Sequence, residues 1–288
     1  MLSIKAFAKI NLYLDVLSRY PDGYHKIESV MQSVALFDLV EISSSSRIGL
    51  TCSNRSLESE NNLAFRAAKL LKAKTGVGSG ADIHITKNIP IAAGLAGGSA
   101  DAAATLVGLN ELWKTGLTVT ELQAIGFELG ADVPFCCVGG TMLAQGKGEL
   151  LSSQTPLTPM PIVIATLPLH VSTAEIYSDL DELMLLPLNR KDEVLQALLS
   201  KDKRAIAESL ANILENVALR RHPEIERVKQ LAIENNCLGV LMSGSGPSVF
   251  AIFDNEDQTG DYARALSATE KNIFINITKP VEYGVKIM

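Results

Sequence analysis

Residues 90–106, PIAAGLAGGSADAAATL, carry the clearest chemical pattern in the chain. Gly94, Gly97 and Gly98 permit turns and a close backbone approach to a ligand that side chains would block. The segment follows an alternating stretch, ADIHITKNIP, and feeds a helical pattern from Ser99 to about Trp113. Strand, glycine loop and helix N-terminus in that order present free N–H groups and the positive end of a helix dipole, which together hold phosphate. Ser99 is expected to cap the helix, with Asp101 in its first turn. Ala100, Ala102, Ala103 and Ala104 leave that turn open to something bulky, although close helix packing favours alanine too. The segment is not a Walker A loop, because no Gly-Lys-Ser/Thr follows Gly98, and its spacing is not the Rossmann fingerprint. Taken alone it also fits a tight strand-to-helix turn.

Other reactive side chains lie far away in sequence. Lys9 and Asn11 stand two apart in an alternating strand, so they share one of its faces. The turn RYPDGYH, residues 19–25, ends in Tyr24 and His25, an aromatic ring that can stack and an imidazole that can hydrogen-bond. GADVPF places Asp132 where an aspartate caps a helix. Thr173 and Tyr177 lie in a helix start, STAEIYSDL, and SGSGPS at 243–248 is a second glycine turn.

The positioning elements alternate between α and β through the whole chain. Residues 2–16 read as a strand, 61–76 as a helix capped by Asn61 or Asn62 and stopped by Gly76, and TVTELQAIGFELG as a helix capped by Thr118 or Thr120. Two or three helices are expected between about 191 and 236. The proline-rich stretch LSSQTPLTPMP at 151–161 marks a boundary, giving a domain at 1–155 and a smaller one at 156–288. The fold class is α+β with a sheet in each half.

Composition narrows the function classes. The chain has 288 residues and a formal net charge of -6, with no basic block, which disfavours binding to a nucleic acid polymer. It does not disfavour a nucleotide held by backbone N–H groups. Cys52, Cys136, Cys137 and Cys237 match no zinc spacing and read as buried thiols of a reducing cytoplasm. The N-terminus lacks the apolar run of a signal peptide, and no stretch reaches the length of a membrane span.

Three segments in order, AKINLYLDVLSRYPDGYH (8–25), PIAAGLAGGSADAAATL (90–106) and LMSGSGPSVFAIF (241–253), resemble the three signature motifs of the GHMP kinase family. GADVPF matches too, and the resemblance covers essentially the whole chain. It implies a two-domain GHMP kinase fold: an N-terminal α/β domain carrying the phosphate loop, a smaller C-terminal α+β domain, and an active site between them. It implies ATP as phosphate donor, with Mg²⁺ expected from the chemistry of ATP. AKINL with DGYH is similar to family members that phosphorylate a cytidine diphosphate-linked methylerythritol. By that resemblance Asp132 is the base and Lys9 its partner cation. Asn11 bonds substrate hydroxyls or the base, Tyr24 and Tyr177 stack on cytosine, His25 bonds its edge, and Thr173 meets the hydroxyl region. Asn62, Leu63 and Lys87 would line the adenine pocket. Pro90, Ile91, Ala92, Ala93, Gly94, Leu95, Ala96, Gly97, Gly98, Ser99 and Ala100 would form the phosphate loop. Ala100 departs from the family pattern, which often has a second serine there, and no residue is identified as a magnesium ligand. The alternatives are a kinase of homoserine, mevalonate or a sugar, a metabolite-binding regulator without turnover, and, remotely, a nicotinamide-binding oxidoreductase. A monomer and a homodimer are both left open.

Overall fold

The alternating N-terminal sequence folds as a hairpin of two strands far longer than the usual 3–10 residues: β1 (Leu2–Arg19) and β2 (His25–Ser45). The computed structural model describes all 288 residues. The hairpin anchors an eight-stranded sheet whose main path runs β12 (Val285–Ile287), β1, β2, β4 (Gly80–Thr86), β3 (Ile48–Cys52). Off that path, β5 (Thr141–Gly146) pairs β2 and carries β6 (Leu150–Ser153), while β8 (Ala211–Asn212) runs parallel to β1. The second sheet is antiparallel, in the order β11 (Phe274–Thr278), β7 (Ile162–Thr166), β10 (Ser248–Ile252), β9 (Gly239–Met242).

Four helices cover the first sheet: α1 (Leu63–Thr75), α2 (Gly97–Trp113), α3 (Val119–Phe127) and α4 (Val133–Val138). Asn62 caps α1, Gly76 ends it in the left-handed region, and Thr118 with Glu121 forms a capping box on α3. The alanines of α2 pack inward against Ile4, Val40, Ile42 and Ile83. They serve close helix-to-sheet packing and do not leave a turn open. The second half adds α5 (Thr173–Leu183), α6 (Lys191–Ser200), α7 (Lys203–Ser209), α8 (Ile213–Arg221), α9 (Glu224–Glu234) and α10 (Glu256–Thr269). Four helices, not two or three, thus occupy 191–236, because short connections at 201–202 and 210–212 break one apparent amphipathic run.

Residues 154–161 carry no helix or strand and lead from β6 to β7. The tail then crosses back. Ile4 pairs Ile287, and Phe7 N–H donates to Gly284 O at 2.9 Å, so the last residues of the chain finish the sheet that the first residues began.

The β1–β2 ladder slips register between Phe7 and Lys9 and again between Asn11 and Tyr13. Such irregularities bend a strand and re-aim its side chains. Here they bracket Lys9 and Asn11.

Candidate active site

A cleft of about 1020 Å³ lies between the two halves. The glycine loop, the β1–β2 hairpin, the turn at Asp132, α5 and the second glycine turn all reach it. Of the residues assigned from the sequence to catalysis, acceptor binding or nucleotide binding, only Leu95 and Ala100 stay outside: both are buried in apolar clusters. The methyl at position 100 therefore faces core, and a hydroxyl there is not available to this cleft.

The glycine loop is shaped by left-handed residues. Gly94 sits at φ +75°, and Ala92 and Ala96 also have positive φ. Ala96, not Ser99, is the N-cap of α2, and it makes no side-chain cap bond. The helix begins two residues earlier than expected because the left-handed turn at Ala96 lets Gly97 and Gly98 join it, with Ala100 N–H donating to Ala96 O at 2.9 Å. Ser99 is thereby released from capping and lines the cleft. Asp101 falls beyond the first turn and points into the protein, 2% exposed.

Two glycine turns meet at Gly94. A Cβ there would lie 2.1 Å from Ser243 O, and one on Gly244 would lie 3.2 Å from Gly94 O. Gly94 O accepts from Ser243 Oγ at 3.0 Å and from Lys9 Nζ at 3.0 Å. Asn212 Nδ2 donates to Met242 O and Gly244 O, fixing the second turn from behind. Gly94→Ala is accordingly expected to lower stability by about 2–4 kcal/mol, from left-handed strain plus overpacking. Because the loop itself must shift, its hold on a phosphate-bearing ligand should weaken as well. Urea unfolding and ligand titration measure the two effects.

Lys9 is 4% exposed and has three donors to place. One goes to Asn11 Oδ1 at 2.7 Å, one to Gly94 O, and the Nζ lies 4.0 Å from Asp132 Oδ2. Its backbone N–H donates to Leu95 O at 3.1 Å, so both main chain and side chain tie β1 to the loop. Asn11 is held in turn: its Nδ2 donates to Ser29 Oγ at 2.8 Å, and Ser29 Oγ donates to Tyr13 O. Asp132 occupies the N-cap position of α4 but makes no capping bond, and its side chain is 40% exposed. A carboxylate beside a buried ammonium, open to a glycine-loop cleft, can accept a proton from an incoming hydroxyl while the cation meets developing charge.

Asn62 and Leu63 line the cleft, but the Asn62 side chain is spent on local structure. Its Oδ1 accepts from Ala64 N–H and its Nδ2 donates to Leu57 O. Lys87 is placed differently from a solvated strand-end lysine. Its Nζ is enclosed by Asp38 Oδ2 and by Asp101 Oδ2, the latter at 2.7 Å. Asp38 Oδ1 also accepts from Asn88 and Ile89 N–H. Burial alone would lower the Lys87 value, and the two carboxylates outweigh it and raise it. Burial pushes the Asp101 carboxyl up to about 7, with Lys87 opposing and Asp38 adding to the rise. The triad lies directly beneath the loop, since a Cβ on Gly97 would come within 3.3 Å of Lys87 Nζ. Sequence reading placed Asp101 in the first helical turn without its partner Lys87 and missed Asp38, although Asp38 is visible as a lone charge within the apolar run VALFDLV.

At the far end, Tyr24 is exposed and Lys147 Nζ lies 4.5 Å from its ring centroid. Tyr177 packs on His25 with ring centroids 4.7 Å apart and planes at 33°. Thr173 Oγ1 is 2.8 Å from Ser245 Oγ, linking α5 to the second glycine turn. Lys147, Arg19 and Asp181 line this end and were not foreseen. Asp181 has a usable signal, because it stands one helical turn after Tyr177. No group of three His, Cys, Asp or Glu side chains is placed to hold a metal ion.

Comparison with known proteins shows the family. The GHMP kinases N terminal domain matches residues 62–140, and the GHMP kinases C terminal domain matches residues 194–272. A 4-diphosphocytidyl-2-C-methyl-D-erythritol kinase from Brevibacillus brevis is 45% identical over 277 residues, 95% of each chain. One from Clostridioides difficile is 43% identical over 276 residues, 94% of this chain and 93% of that protein. A crystal structure of 4-(cytidine 5'-diphospho)-2C-methyl-D-erythritol kinase superposes with a TM-score of 0.82 at 33% identity, covering 97% and 99% of the two chains. Homoserine kinase from Cytophaga hutchinsonii, at 20% identity and a TM-score of 0.79, shares the fold. The chain belongs to the GHMP kinases, in the family of the 4-diphosphocytidyl-2-C-methyl-D-erythritol kinases.

Proposed function

We propose that this chain transfers the γ-phosphoryl group of ATP to the 2-hydroxyl of 4-diphosphocytidyl-2-C-methyl-D-erythritol, giving ADP and the 2-phosphate for isoprenoid precursor synthesis. The observation that carries the chemistry is the placement of Lys9, whose Nζ joins the glycine loop at Gly94 O and lies 4.0 Å from Asp132. The substrate is carried by relatives about 45% identical over nearly the full length.

The hydroxyl oxygen forms its bond to the γ-phosphorus as the bond to the β,γ-bridging oxygen breaks. ADP keeps the bridging oxygen, and the hydroxyl proton passes to Asp132 Oδ2. Lys9 orients that carboxylate and faces the charge gathered on the transferring group. Loop N–H groups from Gly94 to Ser99, at the N-terminus of α2, hold the phosphates. Asn11 holds Lys9 through Oδ1 and has the second N–H of Nδ2 left for the acceptor. Leu63, packed beside Gly98, offers an apolar wall for adenine.

Magnesium enters this reading with ATP. It keeps most of its waters, so one or two protein oxygens suffice. The Ser99 hydroxyl, which lines the cleft at the start of α2, fits such a donor set, and the ion would neutralise phosphate charge. No helix is long and apolar enough to cross a membrane. The four free cysteines support a cytoplasmic setting.

ADP release with Mg-ATP is the test, run against 4-diphosphocytidyl-2-C-methyl-D-erythritol, mevalonate and homoserine. Turnover should appear with the first alone. Turnover with either of the others and none with the first would overturn the assignment. Nucleotide binding without turnover on any acceptor would favour a regulator.

A further inference from the structure

Asp181 binds two residues that face each other across the β1–β2 hairpin. Arg19 ends β1, His25 begins β2, and the two are cross-strand partners. Arg19 Nη1 lies 3.1 Å from Asp181 Oδ2, and His25 Nε2 lies 2.8 Å from Asp181 Oδ1. Tyr177 and Asp181 stand four residues apart on α5, so one helix face supplies both the ring that packs on His25 and the carboxylate that meets its edge. The His25 side chain is 10% exposed and lines the cleft. Its Nε2 is committed to Asp181, and Nδ1 is the nitrogen left for a ligand.

An ionised carboxylate accepts and never donates. The ring nitrogen facing Asp181 must therefore carry the hydrogen. In a neutral imidazole the other nitrogen is then a lone-pair acceptor. An acceptor at that place favours a base with a donor opposite it. The exocyclic amino group of cytosine is such a donor, whereas the carbonyl that uracil carries at the same position is a second acceptor.

We propose that Asp181 is a specificity-determining residue: it accepts the Nε2–H of His25, fixes the tautomer whose Nδ1 is an acceptor, and so selects an amino-pyrimidine over its keto counterpart. This inference rests on the reading above, in which the cleft takes a cytidine diphosphate-linked substrate. Asp181 has His25 and Arg19 as its observed partners. It acts through His25, as a positioning residue.

Asp181→Asn tests the idea, because an amide can turn its NH₂ toward Nε2 and stabilise the opposite tautomer. Two readouts are needed. Long-range ¹H–¹⁵N spectra, with the His25 signals assigned by their loss in His25→Gln, should show a pyridine-like Nδ1 in the wild type and a pyridine-like Nε2 in the variant. The ratio of kcat/KM for the cytidine- over the uridine-linked methylerythritol should fall by about 10- to 100-fold in the variant, since a site built to bond one polar group discriminates strongly against its absence. Damage to the hairpin as a whole would lower both substrates together and leave the ratio in place, which counts against the proposal. A wild-type spectrum with Nδ1 protonated overturns it outright, and that spectrum decides the matter even if Asp181→Asn fails to fold. Wild type silent on the cytidine substrate is a separate outcome, and it removes the functional reading on which the inference rests.

Discussion

An Asp132→Asn enzyme is expected to bind ATP and acceptor but to turn over about 10²–10⁴-fold more slowly, the range that a positioned base contributes. Asparagine keeps the size and removes the proton acceptor. The fold has little stake in this carboxylate: Asp132 stands at the N-cap of α4 without making a capping bond, and its side chain is 40% exposed. Lys9 also keeps two of its three partners, Asn11 Oδ1 and Gly94 O, when the third is neutralised. Stability should therefore fall by no more than about 1 kcal/mol, the worth of an ion pair with one half-exposed partner. The KM for ATP should hardly move, because the glycine loop is anchored through Gly94 O and not through Asp132. ADP release under saturating substrates gives kcat, and a thermal melt checks the fold. The loose transition state of phosphoryl transfer draws the proton off late, which favours the lower part of the range. A loss below tenfold with unchanged KM values would show that the proton leaves by another route, and the role of Asp132 would shrink to orienting the hydroxyl.

The local elements of this chain were legible because their signals are local. Asn62 and Gly76 bound α1 as cap and stop residues do, and Thr118 with Glu121 starts α3. The candidate site residues that short motifs carry all reach the cleft except Leu95 and Ala100, whereas Arg19, Lys147 and Asp181 line it without a motif that singles them out. What could not be read depends on distant packing. Nothing near Lys87 announces that Asp38, 49 residues earlier, and Asp101, 14 later, will enclose it. The start of α2 was misplaced because serine is a good cap in general, whereas here a left-handed alanine ends the loop first. The closure of the first sheet by β12 was hidden for the same reason: Val285–Ile287 is three residues long, and only its pairing with Ile4–Ala6 makes it part of the N-terminal architecture. Motifs thus name which residues meet, while the charge balance beneath them is set by tertiary contacts that spacing does not encode.

That charge balance predicts the second large effect. Lys87→Met should destabilise the protein by about 3–5 kcal/mol at pH 8, as removal of one partner from a buried ion pair does. The side chains are 7% exposed for Lys87, 0% for Asp38 and 3% for Asp101, so water cannot replace the lost ammonium. Asp38 keeps two backbone N–H donors, from Asn88 and Ile89. Asp101 keeps none, because its Oδ1 already lacks a partner and its Oδ2 is bonded to Lys87. The loss must depend on pH. In the folded wild type the Asp101 carboxyl is pushed up to about 7 from 3.8, chiefly by burial. An acid raised on folding holds a proton that the unfolded chain has released, so its contribution is present below the unfolded value and is lost as pH rises through the folded one. Lys87 is the influence that opposes the rise, so its removal extends that window upward. The variant should therefore come closest to wild type near pH 5.5 and fall furthest behind at pH 8. Urea unfolding at the two values measures this. A second change separates charge from shape: Lys87→Met with Asp101→Leu removes the orphaned carboxylate and should recover much of the stability, since apolar replacement of a buried pair is often neutral or better. Recovery of stability without recovery of the KM for ATP would then assign Lys87 a further task at the loop it underlies. A Lys87→Met protein as stable as wild type at pH 8 would mean that the triad does not hold the loop in place.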